Sequence, residues 1–165
     1  LLHDGFLTGL IDGVTTNPSL IRKSGRNPEE VYLELRDIGY NDISMEVVGD
    51  GPEMVVEGRR LAKIFGKCAT IKVPCTPDGL FACRELSREM IKVNVTLIFS
   101  QVQAILAAKA GAAYVSPFVG RAFEYGANIC TIPPKVFDGM YKHILTDKGL
   151  EIFEQDWNET KTLIA

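Results

Sequence analysis

Short β-branched runs recur along this chain with capped helical stretches between them, and that alternation limits the fold more than any other feature. Gly13-Val14-Thr15-Thr16-Asn17, 43–48, 70–74, 93–99, 113–118 and 128–132 read as six strands, rich in Val, Ile and Thr. Helices are expected over 28–38, from Pro52 onward, and over 77–88, 101–110, 134–141 and 147–160. Asn27-Pro28-Glu29-Glu30 carries a complete start signal: a cap, a proline at the first helical position and acids in the first turn. Strands repeating every ~20 to 30 residues with helices between them build stacked βα units on a parallel sheet.

No glycine-rich phosphate loop follows the first strand, which counts against an open dinucleotide-binding sheet. The expected class is therefore α/β, a (β/α)8 TIM barrel, in one domain spanning residues 1–165. Such barrels usually take ~200 residues or more, whereas this sequence has 165. Between Arg121 and Asn128 there is room for one helical turn only, so a later βα segment is expected to be missing from the sequence given. Pieces left out explain this better than a barrel lacking interior strands, which would leave sheet edges exposed.

A net charge of −3 offers no electrostatic case for nucleic acid or an anionic membrane. No apolar run is long enough for a span and no leader pattern opens the chain, so a cytoplasmic protein is expected. Cys68, Cys75, Cys83 and Cys130 lack metal-ligand spacing, and the histidines are His3 and His143. Reduced thiols and no metal are expected.

Lys72 is the residue of most chemical interest, lying in the middle of Thr70-Ile71-Lys72-Val73-Pro74. Alternation puts Thr70 and Lys72 on one strand face and Ile71 and Val73 on the other. If the first face lines a barrel, Lys72 is an amine held away from bulk water, where burial favours the uncharged form that attacks carbonyls. Taken alone, it could equally be a strand-end lysine reaching out to solvent.

Its neighbourhood decides. Barrel chemistry collects at the C-terminal ends of the strands, and one polar residue from each supplies Asn17, Glu46, Lys72, Asn94 with Thr96, and Ser116. Each has a plain alternative: Asn17 shaping a turn before Pro18, Glu46 pairing with a structural cation, Thr96 as an ordinary strand residue. Together, one acid, one amine, hydroxyls and two amides at equivalent positions point to a site. Ser116, Gly120 and Arg121 add a candidate anion cradle, with a forked permanent cation beside a hydroxyl.

Five ordered blocks then carry a family resemblance: Gly13-Val14-Thr15-Thr16-Asn17-Pro18-Ser19, Met45-Glu46-Val47-Val48, Ile71-Lys72-Val73-Pro74, Val93-Asn94-Val95-Thr96-Leu97-Ile98-Phe99 and Ser116-Pro117-Phe118-Val119-Gly120-Arg121. The chain resembles transaldolases of the short bacterial and archaeal type, related to fructose-6-phosphate aldolase. The resemblance implies that Lys72 forms a Schiff base, with Glu46 and Thr96 handling protons through a bound water. It further implies that Asn17 and Asn94 hold the hydroxyls of the dihydroxyacetone fragment, that Ser116 and Arg121 contact the sugar phosphate, and that Thr15 and Phe118 also bind substrate. Glu46 and Phe118 favour the transaldolase branch, because the aldolase branch typically carries glutamine and tyrosine there.

The implied reaction moves a dihydroxyacetone unit from sedoheptulose 7-phosphate or fructose 6-phosphate to an aldose phosphate, a step of the pentose phosphate pathway. The implied partners are sugar phosphates, with no cofactor, since an iminium serves where a Lewis acid otherwise would. Two departures stand out. The family's first strand, with its acid/base aspartate, has no counterpart motif around Asp4 or Asp12, and a second phosphate-binding arginine is missing after Arg121. The expectation is a chain that forms the imine but cleaves poorly. The rival readings are a free fructose-6-phosphate aldolase and a non-catalytic truncated barrel that binds sugar phosphate. The 147–160 helix carries Leu150, Phe153 and Trp157 as an apolar stripe that could equally pack on its own barrel or on a partner; the resemblance implies the partner, in a homo-oligomer with a decamer as one candidate size.

Overall fold

A computed structural model describes residues 9–117, 131–140 and 142–164, with the side chains of 138 and 156–164 left out of that description. Two compact units divide it, residues 1–131 and 132–165. The first is an α/β unit: β1 (Val14–Thr15), α1 (Pro18–Ser24), α2 (Pro28–Ile38), β2 (Ile43–Glu46), α3 (Gly51–Phe65), β3 (Ala69–Pro74), α4 (Pro77–Arg88), β4 (Lys92–Ile98), α5 (Gln101–Lys109) and β5 (Tyr114–Pro117). The second contributes α6 (Pro134–Met140) and α7 (Ile144–Ile164).

The five strands pair in parallel in the order of the chain, β1-β2-β3-β4-β5. The sheet curls as a half-barrel. Among the described residues the ring is not closed, so the fold is the expected α/β class without the full barrel. Of the sixth expected strand, 128–130 lie outside the described residues, and Thr131 and Ile132 are not in a strand.

Local chemistry explains the boundaries. Asn27, Asp50, Thr76 and Ser100 each cap a helix by accepting a backbone N–H, and proline stands in the first turn of α2, α3 and α4. Asp50 and Glu53 form a reciprocal capping box. One helix goes beyond expectation. Pro18 ends β1 but also opens α1, with Asn17 as its cap accepting from the Leu20 N–H at 2.8 Å.

The two sheet faces differ sharply. Ile43, Met45, Val47, Ile71, Val73, Val93 and Val95 are buried in one apolar cluster with Met54, Leu61 and Phe65 of α3 and Ala82, Cys83 and Leu86 of α4. Each such aliphatic side chain stabilises the fold by about 1.5–3 kcal/mol. Close approach is needed here: a Cβ on Gly58 would stand 2.8 Å from a Leu86 methyl, and one on Gly79 would stand 1.9 Å from the Pro74 carbonyl oxygen. The other face, taken up below, is polar.

Candidate functional site

In a parallel sheet, register partners point the same way, and side chains alternate along each strand. Glu46, Lys72 and Asn94 are register partners, as are Thr96 with Ser116 and Thr15 with Ser44. Asn17 lies two residues beyond Thr15. The structure therefore brings Thr15, Glu46, Lys72, Asn94, Thr96 and Ser116 to one face, as the alternation predicts, whereas Asn17 lies past the end of β1 and caps α1. Phe118 and Arg121 lie outside the described residues, as does the remainder of the expected anion cradle after Pro117.

Lys72 is 8% exposed and does not turn out to solvent. Its Nζ lies 3.0 Å from Glu46 Oε2 and donates to the Thr16 backbone oxygen at 3.0 Å. The amine is thus held by a carboxylate and a carbonyl, in polar rather than apolar surroundings. Thr16 is a residue that the sequence reading passed over. Its N–H and its Oγ1 both donate to the Ser44 carbonyl, at 3.0 and 2.9 Å, which fixes the peptide that faces Lys72. The Tyr32 phenol of α2 is buried close to the Thr16 side chain. Burial pushes that phenol above its ordinary value, the Thr16 side chain pulls it down, and the nearby Glu46 carboxylate pushes it up.

The polar face is arranged in tiers. In the upper one, Ser116 Oγ donates to Asn94 Oδ1 at 2.8 Å, and Asn94 Nδ2 donates to Ser44 Oγ at 3.1 Å. A lower one, toward the strand starts, centres on Asp42: Thr70 Oγ1 donates to Oδ1 at 2.8 Å, while Lys92 Nζ and the Tyr114 hydroxyl reach Oδ2 at 2.5 and 3.0 Å. Stacked layers of inward side chains are a feature of barrels; here they are hydrogen-bonded. Burial, then the Asp42 carboxylate, pushes the Tyr114 phenol up.

Thr96 is buried beside Pro74, two residues beyond Asn94 on the same face. Just after it the β4–β5 register shifts, and Leu97 adopts φ 60°, a conformation seldom taken by a branched side chain. Among the described residues, no group of three or more His, Cys, Asp or Glu side chains could hold a metal ion, and no helix is long and apolar enough to cross a membrane. Arranged this way, the face carries a sheltered amine, a carboxylate 3.0 Å from it, and hydroxyl and amide groups alongside.

The chain is similar to known proteins of one family. The family described as Transaldolase/Fructose-6-phosphate aldolase matches residues 5–127. A probable transaldolase of Caulobacter vibrioides (strain NA1000 / CB15N) is 45% identical over 195 residues, covering 93% of this chain and 89% of the relative. One from Parvibaculum lavamentivorans (strain DS-1 / DSM 13023 / NCIMB 13966) is 43% identical with 93% and 89% covered, and one from Nitrosopumilus maritimus (strain SCM1) is 42% identical with 93% and 88% covered. The 195 aligned positions exceed the 165 residues of this chain by 30, so the Caulobacter relative carries at least that many residues, within the aligned stretch, that have no counterpart here. With five strands in chain order, a buried lysine paired to a glutamate, and a match over most of its length, the chain belongs to the transaldolase/fructose-6-phosphate aldolase family.

Proposed function

We propose that this chain is a transferase that moves a dihydroxyacetone unit from a ketose phosphate to an aldose phosphate through a Schiff base on Lys72. The observation that carries the reading is the 3.0 Å approach of Lys72 Nζ to Glu46 Oε2 on one face of the parallel sheet. Glu46 takes a proton from the Lys72 ammonium, the freed Nζ adds to the C2 carbonyl, the carbonyl oxygen takes up a proton as nitrogen loses one, and departure of water with the proton Glu46 returns leaves the protonated imine. Glu46 accepts and returns those protons, with Thr96 assisting through a water. The protonated imine takes the electron pair of the C3–C4 bond as the C4 hydroxyl gives up its proton to solvent water. An aldose phosphate leaves and a three-carbon enamine stays on Lys72. An incoming aldehyde then reverses these steps, and water frees the amine.

Asn17, Thr15 and Asn94 hold the hydroxyls of the three-carbon unit, while Ser116, Phe118 and Arg121 hold the phosphate-bearing part. No residue of this sequence is assigned to the C4 hydroxyl proton. Sedoheptulose 7-phosphate and fructose 6-phosphate are the donors in this reading, which puts the protein in the pentose phosphate pathway of the cytoplasm, as a homo-oligomer of (β/α)8-type barrels that lack the first strand and a later βα segment in the sequence given. Borohydride added with fructose 6-phosphate should fix a sugar-derived fragment on Lys72, and no adduct at that residue overturns the reading. The relative's additional residues favour a second reading, a barrel that binds sugar phosphate without turnover. Adduct formation without transfer would select it, and net release of dihydroxyacetone would select the aldolase.

A further inference from the structure

The lower polar tier belongs to no step of that chemistry, yet its geometry is tied to the residues that do. Asp42 immediately precedes β2, two residues before Ser44 and four before Glu46. Its three partners stand in the same relation to the neighbouring strands: Thr70 two before Lys72, Lys92 two before Asn94, Tyr114 two before Ser116. Two residues along a strand return to the same face, about 6.6 Å further on. One carboxylate therefore fixes points on three strands directly beneath the three side chains proposed to act on substrate.

We propose that Asp42 is a positioning residue, setting Lys72, Asn94 and Ser116 relative to Glu46 by tying Thr70, Lys92 and Tyr114 to a single point. The inference rests on the Schiff-base reading of the face above. Both Asp42 oxygens are occupied, one by Thr70 and the other by Lys92 and Tyr114, so the carboxylate serves three strands at once. A one-residue slip of any strand would turn its polar set into the apolar layer, and a smaller shift would move a reacting atom by a fraction of an ångström. Displacement of about 1 Å at a reacting group can cost ~100-fold in rate.

The test uses variants milder than loss of Asp42 itself. Thr70→Val and Tyr114→Phe each remove one hydroxyl, and borohydride trapping with fructose 6-phosphate, quantified by peptide mass at Lys72, gives a maximal rate and a half-saturation concentration. Thr70→Val should lower the maximal rate about tenfold and leave half-saturation within about twofold, because it loosens the strand of the amine. Tyr114→Phe should raise half-saturation about fivefold and leave the maximal rate within about twofold, because it loosens the strand of Ser116. Asp42→Asn should show both effects. Unchanged parameters, or both parameters falling together in step with Tm, overturn the positioning role while leaving the Schiff base intact. A wild-type protein that traps nothing at Lys72 overturns both.

Discussion

Lys72 and Glu46 are register partners on adjacent parallel strands, and their charged ends meet at 3.0 Å with side chains 10% and 15% exposed. A pair this sheltered from water is sensitive to loss of one member. Glu46→Gln keeps the shape and a hydrogen bond but not the charge, and should slow adduct formation at Lys72 by about 100-fold, as expected for loss of a general base. Lys72→Met should abolish the adduct and cost about 3 kcal/mol of stability by leaving the carboxylate without its cation. Trapping and urea unfolding of the two variants check this.

Asn17 has two roles that can be separated. It caps α1 by accepting from the Leu20 N–H, and the proposed reaction gives its amide a second task, holding substrate. Asn17→Ala should lose about 1 kcal/mol, whereas Asn17→Ser should retain most of the cap. If the amide also holds substrate, both variants raise the half-saturation concentration for fructose 6-phosphate. If it is only a cap, the serine variant behaves as wild type in both measurements.

Much of this was legible in the sequence because proline and small polar residues mark the helix starts directly. The expected bounds of 28–38 and 77–88 match α2 and α4. α1 is hidden because Asn17-Pro18 ends a strand, and the same pair is also a cap followed by a first-turn proline. Alternation placed the upper polar residues correctly. It could also have found Asp42, in phase with Ser44 and Glu46, but Asn41-Asp42 before a hydrophobic run reads as a turn. The Thr16 carbonyl had no signal at all, since a backbone acceptor is invisible to side-chain patterning. α7 begins at Ile144, three residues before the expected start, and Leu150 and Phe153 are exposed on it; the Trp157 side chain lies outside the described residues.

Thr16→Val removes the Oγ1 bond to Ser44 while preserving shape, and should cost about 1 kcal/mol. Thr16→Ser keeps the donor and should rescue most of that loss. Since the Thr16 carbonyl contacts Lys72, the valine variant should also trap adduct more slowly, whereas the serine variant should not. Unfolding and trapping rates measured side by side check both halves.

Gly79→Ala should be among the most damaging single-methyl additions. The new Cβ meets the Pro74 carbonyl oxygen at 1.9 Å, a backbone atom two residues past Lys72. Overpacking of this kind costs about 1–3 kcal/mol or more. Adduct formation should fall with stability, because relief of the clash displaces the end of the lysine strand. Thermal unfolding and trapping of the variant check the two effects.

Burial pushes the Cys83 thiol up to about 11 from an ordinary 9.0. The folded state holds this proton where the unfolded chain releases it. The associated stability is therefore complete below pH 9 and is lost as pH rises through about 11. Between neutral pH and about pH 10.5 the wild type should lose about 2 kcal/mol through this group. Cys83→Ala should lose correspondingly less over the same range, and urea titrations at both ends of it provide the measurement.

One consequence follows from the unequal faces of the sheet. Hydration of apolar groups raises the heat capacity of an unfolding chain, and hydration of polar groups lowers it. With aliphatic side chains crowded on the helix-facing side and amides, hydroxyls and charges filling the concave side, the two contributions partly cancel. The stability curve of this protein should consequently be broad and shallow in temperature compared with a sheet packed by hydrocarbon on both sides.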